Sequence, residues 1–141
     1  MSVEHLVGHL VDIVSRGGNF LLNVGPKANG ELPEIQIKIL TELAAWMDID
    51  SDAIHGSEMA SDFTSIGTSS DGETPWLGIT KKRNSVFAFV KSAGEIEFEI
   101  PANLVNKDSA KILGGRGLKL TRTGDKLYLQ LGGRANQLPM V

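Results

Sequence analysis

From Val3 to Val14 the apolar residues Val3, Leu6, Val7, Leu10, Val11 and Val14 recur at the i, i+3, i+4, i+7 spacing of a single helix face. Ser2 suits the N-cap, because its short side chain can accept from a backbone N–H that the first turn leaves free. Arg16 favours the negative helix end, and Gly17-Gly18 provides the left-handed backbone that ends a helix. The pattern therefore predicts a helix over about Val3 to Arg16. Asn19-Phe20-Leu21-Leu22-Asn23-Val24 follows, an almost continuous apolar run between glycines, which predicts a parallel strand buried on both faces. Gly25-Pro26-Lys27-Ala28-Asn29-Gly30 is dense in turn formers. Pro33 suits the first turn of a second helix carrying Ile35, Ile39, Leu40, Leu43, Trp46 and Met47.

After His55-Gly56-Ser57 the period changes from helical to alternating, with a polar stretch from Thr64 to Pro75, so a boundary is expected near residue 56. Residues 76–80, 85–90, 95–100, 111–113, 118–120 and 126–131 alternate apolar with polar positions. They are separated by Lys82-Arg83-Asn84, Ser92-Ala93-Gly94, Gly114-Gly115-Arg116-Gly117 and Thr123-Gly124-Asp125, which is turn chemistry at the spacing of a sandwich or barrel. The expected fold class is α+β: a helix-strand-helix unit over residues 1–56, then an antiparallel β-sandwich over residues 57–141. One strand buried on both faces needs parallel neighbours, and the first 56 residues contain no other candidate. The unit thus reads as part of a larger α/β domain, and Gly132 to Val141 as a truncated last strand.

Composition narrows the function classes. The 141 residues are 41% hydrophobic and 22% charged, as in an ordinary globular protein. A formal net charge of −3, with 14 Lys plus Arg and no basic block, gives no footprint for a nucleic-acid backbone. Zero cysteines exclude disulfides and thiolate zinc sites. No apolar run approaches the roughly 18 residues that span a bilayer, and the first five residues lack a basic signal-peptide region, so a soluble protein without a membrane partner is expected. Its compartment stays open among bacterial cytoplasm, periplasm and exterior.

The segment Leu10-Val11-Asp12-Ile13-Val14-Ser15-Arg16-Gly17-Gly18-Asn19-Phe20-Leu21-Leu22-Asn23-Val24-Gly25-Pro26 resembles the "VDIVSKGGNxLLNIGP" stretch of family 29 α-L-fucosidases. Gly30-Glu31-Leu32-Pro33, Trp46 and Asp52-Ala53-Ile54-His55-Gly56-Ser57 resemble that family's "G-x-I-P", "EWL" and "EAIYGT" stretches in the same order, with His55 where the family usually has Tyr. Phe87-Ala88-Phe89-Val90, Ile112-Leu113-Gly114 and Leu127-Tyr128-Leu129 resemble its C-terminal sandwich more loosely. The resemblance implies the last helix-strand-helix of a TIM-like barrel followed by a sandwich. It also implies a retaining exo-glycosidase acting on fucosylated glycans without a cofactor. The family's Asp nucleophile and Glu acid/base belong to barrel strands and loops upstream of this segment. Retaining chemistry needs two carboxyls about 5 to 5.5 Å apart across the sugar, and one strand cannot supply that pocket.

Barrel sites are assembled at the C-terminal ends of strands, which directs attention to Asn23 and Gly25 as substrate-binding candidates. Asn23 either supports the sugar pocket or caps the Gly25-Pro26 turn. Trp76 is a third substrate-binding candidate, able to stack on a pyranose, although core packing is the commoner fate of a Trp at the start of an apolar strand. Asp48, Asp50 and Asp52 begin like a calcium loop but meet Ala53 and Met59 where Gly and Glu are required, so a solvated acidic turn is expected and no metal. His5 and His9 stand at i, i+4 without a third ligand nearby in sequence.

Two rival readings are a carbohydrate-binding sandwich and a minimal self-associating glycosidase drawing carboxylates from Glu58, Asp62, Asp71 and Glu73. Barrel-derived elements would expose apolar faces in an isolated copy, so a homo-oligomer is expected.

Overall fold

A computed structural model describes residues 2–61, 67–69, 76–90, 96–101, 109–113, 117–119, 121–124 and 126–131. The Ser2 side chain accepts from the His5 N–H at 3.4 Å and begins helix α1, Val3–Ser15. Its end is a Schellman motif: Gly18 N–H donates to Ile13 C=O at 2.8 Å and Gly17 N–H to Val14 C=O at 2.9 Å. Gly17 takes φ 78°, where a side chain would be strained. Helix α2, Glu34–Asp50, begins after Pro33 and runs into a 3₁₀ turn, Ser51–Ala53.

The strands follow as β1 (Glu58–Met59), β2 (Gly67–Ser69), β3 (Trp76–Lys82), β4 (Ser85–Val90), β5 (Ile96–Pro101), β6 (Ser109–Lys111), β7 (Gly117–Lys119), β8 (Thr121–Thr123) and β9 (Lys126–Leu131). All described pairings are antiparallel, in the orders β1-β3-β4, β2-β5-β9-β8 and β6-β7. Lys82 pairs with Ser85, so Arg83-Asn84 forms a two-residue hairpin turn, with Arg83 at φ 54°. The alternation in the sequence thus identifies the longer strands β3, β4, β5 and β9. Two short strands, β1 and β2, lie where the sequence shows no alternation, and the fourth expected strand, 111–113, sits two residues earlier. Its Leu113 is in a turn. The expected turn at Ser92-Ala93-Gly94, most of Gly114-Gly115-Arg116-Gly117 and the close at Gly132 to Val141 lie outside the described residues.

The core lies between α1, α2 and the β3–β4 hairpin. Val7, Val11, Trp46, Ala53, Ile54 and Phe89 are buried together, with Val3, Leu10, Val14, Leu43, Met47, Phe87 and Leu113 packed around them. The Trp46 and Phe89 rings lie 6.3 Å apart at 35°. Burying large aromatics in this way dominates the apolar contribution of a small core. Sheet and helix approach unusually closely at Gly78, where an added β-carbon would stand 2.6 Å from Ser15 Cβ and 3.2 Å from Val11 Cγ1. A polar joint sits beside this packing. The buried Thr80 hydroxyl donates to Ala53 C=O at 2.7 Å, tying β3 to the 3₁₀ turn.

One expectation needs correction. Residues 20–24 are not a strand in this structure: they join no sheet, and they alternate rather than bury both faces. Phe20, Leu22 and Val24 are half-buried, while Leu21 is 91% exposed. The physical reason is the one the sequence raised. A strand buried on both faces requires neighbours to satisfy its backbone and cover its outer side, and the described residues offer none at this position.

Candidate functional site

The segment between the helices is fixed at both ends and unpaired in the middle. The Schellman motif sets its exit from α1. At the other end Gly25 N–H donates to Gln36 Oε1 on the first turn of α2 at 3.1 Å. Beyond Gly25 a closed turn follows, with Lys27 N–H to Glu31 C=O at 2.7 Å and Gly30 N–H to Lys27 C=O at 2.9 Å. Asn29 holds it, its Oδ1 accepting from Glu31 N–H at 3.1 Å and its Nδ2 donating to Glu31 Oε2 at 2.8 Å. Residues 19–26 exchange no backbone hydrogen bond with any described residue.

Asn23 and Gly25 fall on the exposed side of this segment, at i and i+2, together with Leu21. The Asn23 amide has no partner among the described residues, and the turn that follows is built by Asn29. An exposed, unengaged amide next to an anchored glycine can donate to and accept from a hydroxyl-rich ligand. Trp76 opens β3 opposite Val90, with an irregularity in register before Gly78, and that strand packs on α1 and the 3₁₀ turn.

Gln36 was not singled out in the sequence, and Asp50 was expected in a solvated acidic turn. Both lie on the inward stripe of α2, which runs Gln36, Ile39, Leu40, Leu43, Trp46, Met47 and Asp50. A polar residue in step with an apolar stripe is the signal that could have found them. Gln36 is satisfied by Gly25. Asp50 is 5% exposed and has no hydrogen-bond or ion-pair partner among the described residues, and burial raises its pKa to about 6. The expected solvated acidic turn is therefore corrected at its centre. Asp48 is exposed and Asp52 pairs with Lys82 at 3.1 Å, but Asp50 points inward because position 50 continues the stripe of Leu43, Trp46 and Met47.

His5 shares a hydrogen bond with the Ser2 hydroxyl at 2.9 Å, and His9 is exposed. Among the described residues no three His, Cys, Asp or Glu side chains gather as metal ligands, and no helix is long and apolar enough to cross a membrane. Asp62, Asp71 and Glu73, weighed above as carboxylates, lie outside the described residues.

Against this geometry, the sequence profile of the Alpha-L-fucosidase family matches residues 1–52. The alpha-L-fucosidase of Dictyostelium discoideum is 31% identical across 99% of this chain, which covers 30% of that protein. The plasma alpha-L-fucosidase of Rattus norvegicus is 29% identical across 89% of the chain, which covers 27% of that protein. Among solved structures, the Thermotoga maritima alpha-fucosidase in complex with fucose matches 93% of this chain at 34% identity and a TM-score of 0.74, over 30% of its own length. The alpha-L-fucosidase isoenzyme 1 of Paenibacillus thiaminolyticus matches the same share at 27% identity and a TM-score of 0.75. The chain thus spans about 30% of the length of the relatives it matches.

Proposed function

The chain belongs to the α-L-fucosidase family, and from that premise we propose that it is the C-terminal part of a retaining exo-glycosidase that releases α-L-fucose from fucosylated glycans. In this reading residues 1–56 complete a catalytic barrel, and residues 57–141 form a β-sandwich beside it. The nucleophile and the acid/base belong to the portion of the family's length that this segment does not span. The observation that carries the reading is the unpaired segment Asn19 to Pro26. It is alternately half-buried, without backbone-to-backbone hydrogen bonds to any described residue, and inside the family match, as a barrel strand would be without its neighbours.

The chemistry follows from that placement. Retaining hydrolysis requires a carboxylate to attack the anomeric carbon while a second carboxyl, about 5 to 5.5 Å away, protonates the leaving oxygen. Asn23, on the exposed side of the segment, is assigned a hydrogen bond to a sugar hydroxyl, and Gly25 the close approach of backbone that a side chain would prevent. Trp76 is assigned a supporting place on the sandwich.

The test is a hybrid enzyme in which these 141 residues replace the matching segment of the Thermotoga maritima α-fucosidase. A hybrid that folds and hydrolyses an α-L-fucoside, and whose Asn23→Ala variant raises KM about tenfold, supports the reading; one hydrogen bond to a sugar hydroxyl is on the order of 1.5 kcal/mol. A folded hybrid without turnover would sink it.

A further inference from the structure

The corner where α2 meets the 3₁₀ turn carries a buried carboxylate that the proposed fucosidase role does not use. Asp50 is the last residue of α2, and around it stand Trp46, Ala53 and Ile54, each less than 10% exposed. The same corner is pinned to the sheet from two sides, by Thr80 Oγ1 donating to Ala53 C=O at 2.7 Å and by the Asp52–Lys82 ion pair at 3.1 Å. Ile54 and His55 N–H groups both donate to Ser51 C=O, at 3.1 and 2.7 Å, closing the turn immediately after Asp50. An ionised carboxylate here is desolvated, unpaired among the described residues and set against the negative end of its own helix, three conditions that disfavour the charged form.

We propose that Asp50 makes the corner joining α2 to the β3–β4 sheet a protonation-controlled latch, closed while its carboxyl is neutral and eased when it ionises. Among the described residues, the charged or titratable groups on the surrounding elements are Glu34, Lys38, Glu42 and Asp48 on α2, with Lys38 and Glu42 paired to each other, Asp52 in the 3₁₀ turn, His55 and Glu58 beyond it, and Lys81 and Lys82 on β3. On α1 they are Glu4, His5, His9, Asp12 and Arg16, and β4 contributes none. None forms an ion pair or hydrogen bond with Asp50: Asp52 engages Lys82, Asp12 engages Arg16 at 2.8 Å, and Glu4, His9, Asp48, His55 and Glu58 are exposed.

The direction follows from linkage. With the native carboxyl raised from 3.8 to about 6, the folded chain holds its proton more tightly than the unfolded chain. The stability this contributes is fully present below about pH 4 and is lost as pH rises through about 6.

Thermal unfolding of the purified chain between pH 4.5 and 8, with amide exchange at Ile54 and His55 corrected for intrinsic rates, tests the latch. Relative to Asp50→Asn, the wild type should lose about 3 to 8 °C in Tm across the rise. Exchange at the two amides should quicken between tenfold and a hundredfold, the two-unit ceiling of such a shift. Asp52→Asn and His55→Gln should both keep the wild-type response, separating Asp50 from its ionisable neighbours. Should Asp50→Asn not fold, the wild-type carboxyl is followed by carbon NMR; coincidence of its midpoint with that of exchange supports the latch. Parallel Tm curves for wild type and Asp50→Asn, or exchange insensitive to the carboxyl's titration, overturn it.

Discussion

Gly78 is the residue at which the contact of helix and sheet is most exacting. A β-carbon there would sit 2.6 Å from Ser15 Cβ, on a stiff strand backed by the buried Thr80 and Phe89, so neither side can give way easily. Gly78→Ala should destabilise the chain by about 1 to 3 kcal/mol in chemical denaturation. Gly8 provides the control on the same helix, because nothing lies within 4 Å of the β-carbon it would gain. Gly8→Ala should stabilise by about 0.5 to 1 kcal/mol, as expected of a helix interior. Equal effects at the two positions would refute the close α1–β3 packing. Neither glycine's role is legible in the sequence, since close approach depends on which elements meet, whereas Gly17's role was, because a Gly pair after a helical stripe is a local signal. Asn23 was singled out by the sequence, but its partner-free amide and the clamp from Gln36 to Gly25 became visible only once α2 was placed.

At the scale of elements, α1, α2 and the long strands followed from local periodicity, and the segment between the helices did not. Its apolar run reads as a strand because Phe20, Leu21, Leu22 and Val24 carry that composition, yet strand formation depends on partners outside the run. Missing the short β1 and β2 has a similar cause, since two or three residues of pairing leave no period to detect. An uncovered edge with Leu21 91% exposed, near a helix that also leaves Ile35 63% and Ile37 49% exposed, is a surface prone to association. Light scattering at micromolar concentration should detect dimers or larger assemblies of the chain, and Leu21→Lys should shift them towards monomer. A clean wild-type monomer under the same conditions would count against an incomplete barrel edge.

For the whole molecule, the alignments to the Dictyostelium discoideum and Thermotoga maritima relatives cover 99% and 93% of the chain, while the chain spans about 30% of their length. The described core gathers Val7, Val11, Trp46 and Phe89, whereas a glycosidase site needs two carboxylates held across a sugar by several strands. The measurement that bears most directly on this account is hydrolysis of a chromogenic α-L-fucoside by the purified 141-residue chain, its length verified by mass spectrometry and a full-length relative run as positive control. The account predicts no turnover above the uncatalysed rate at any pH between 4 and 8. Turnover that co-purifies with the chain and disappears when one Asp or Glu is replaced would contradict it, because a complete carboxylate pair would then be present within these residues.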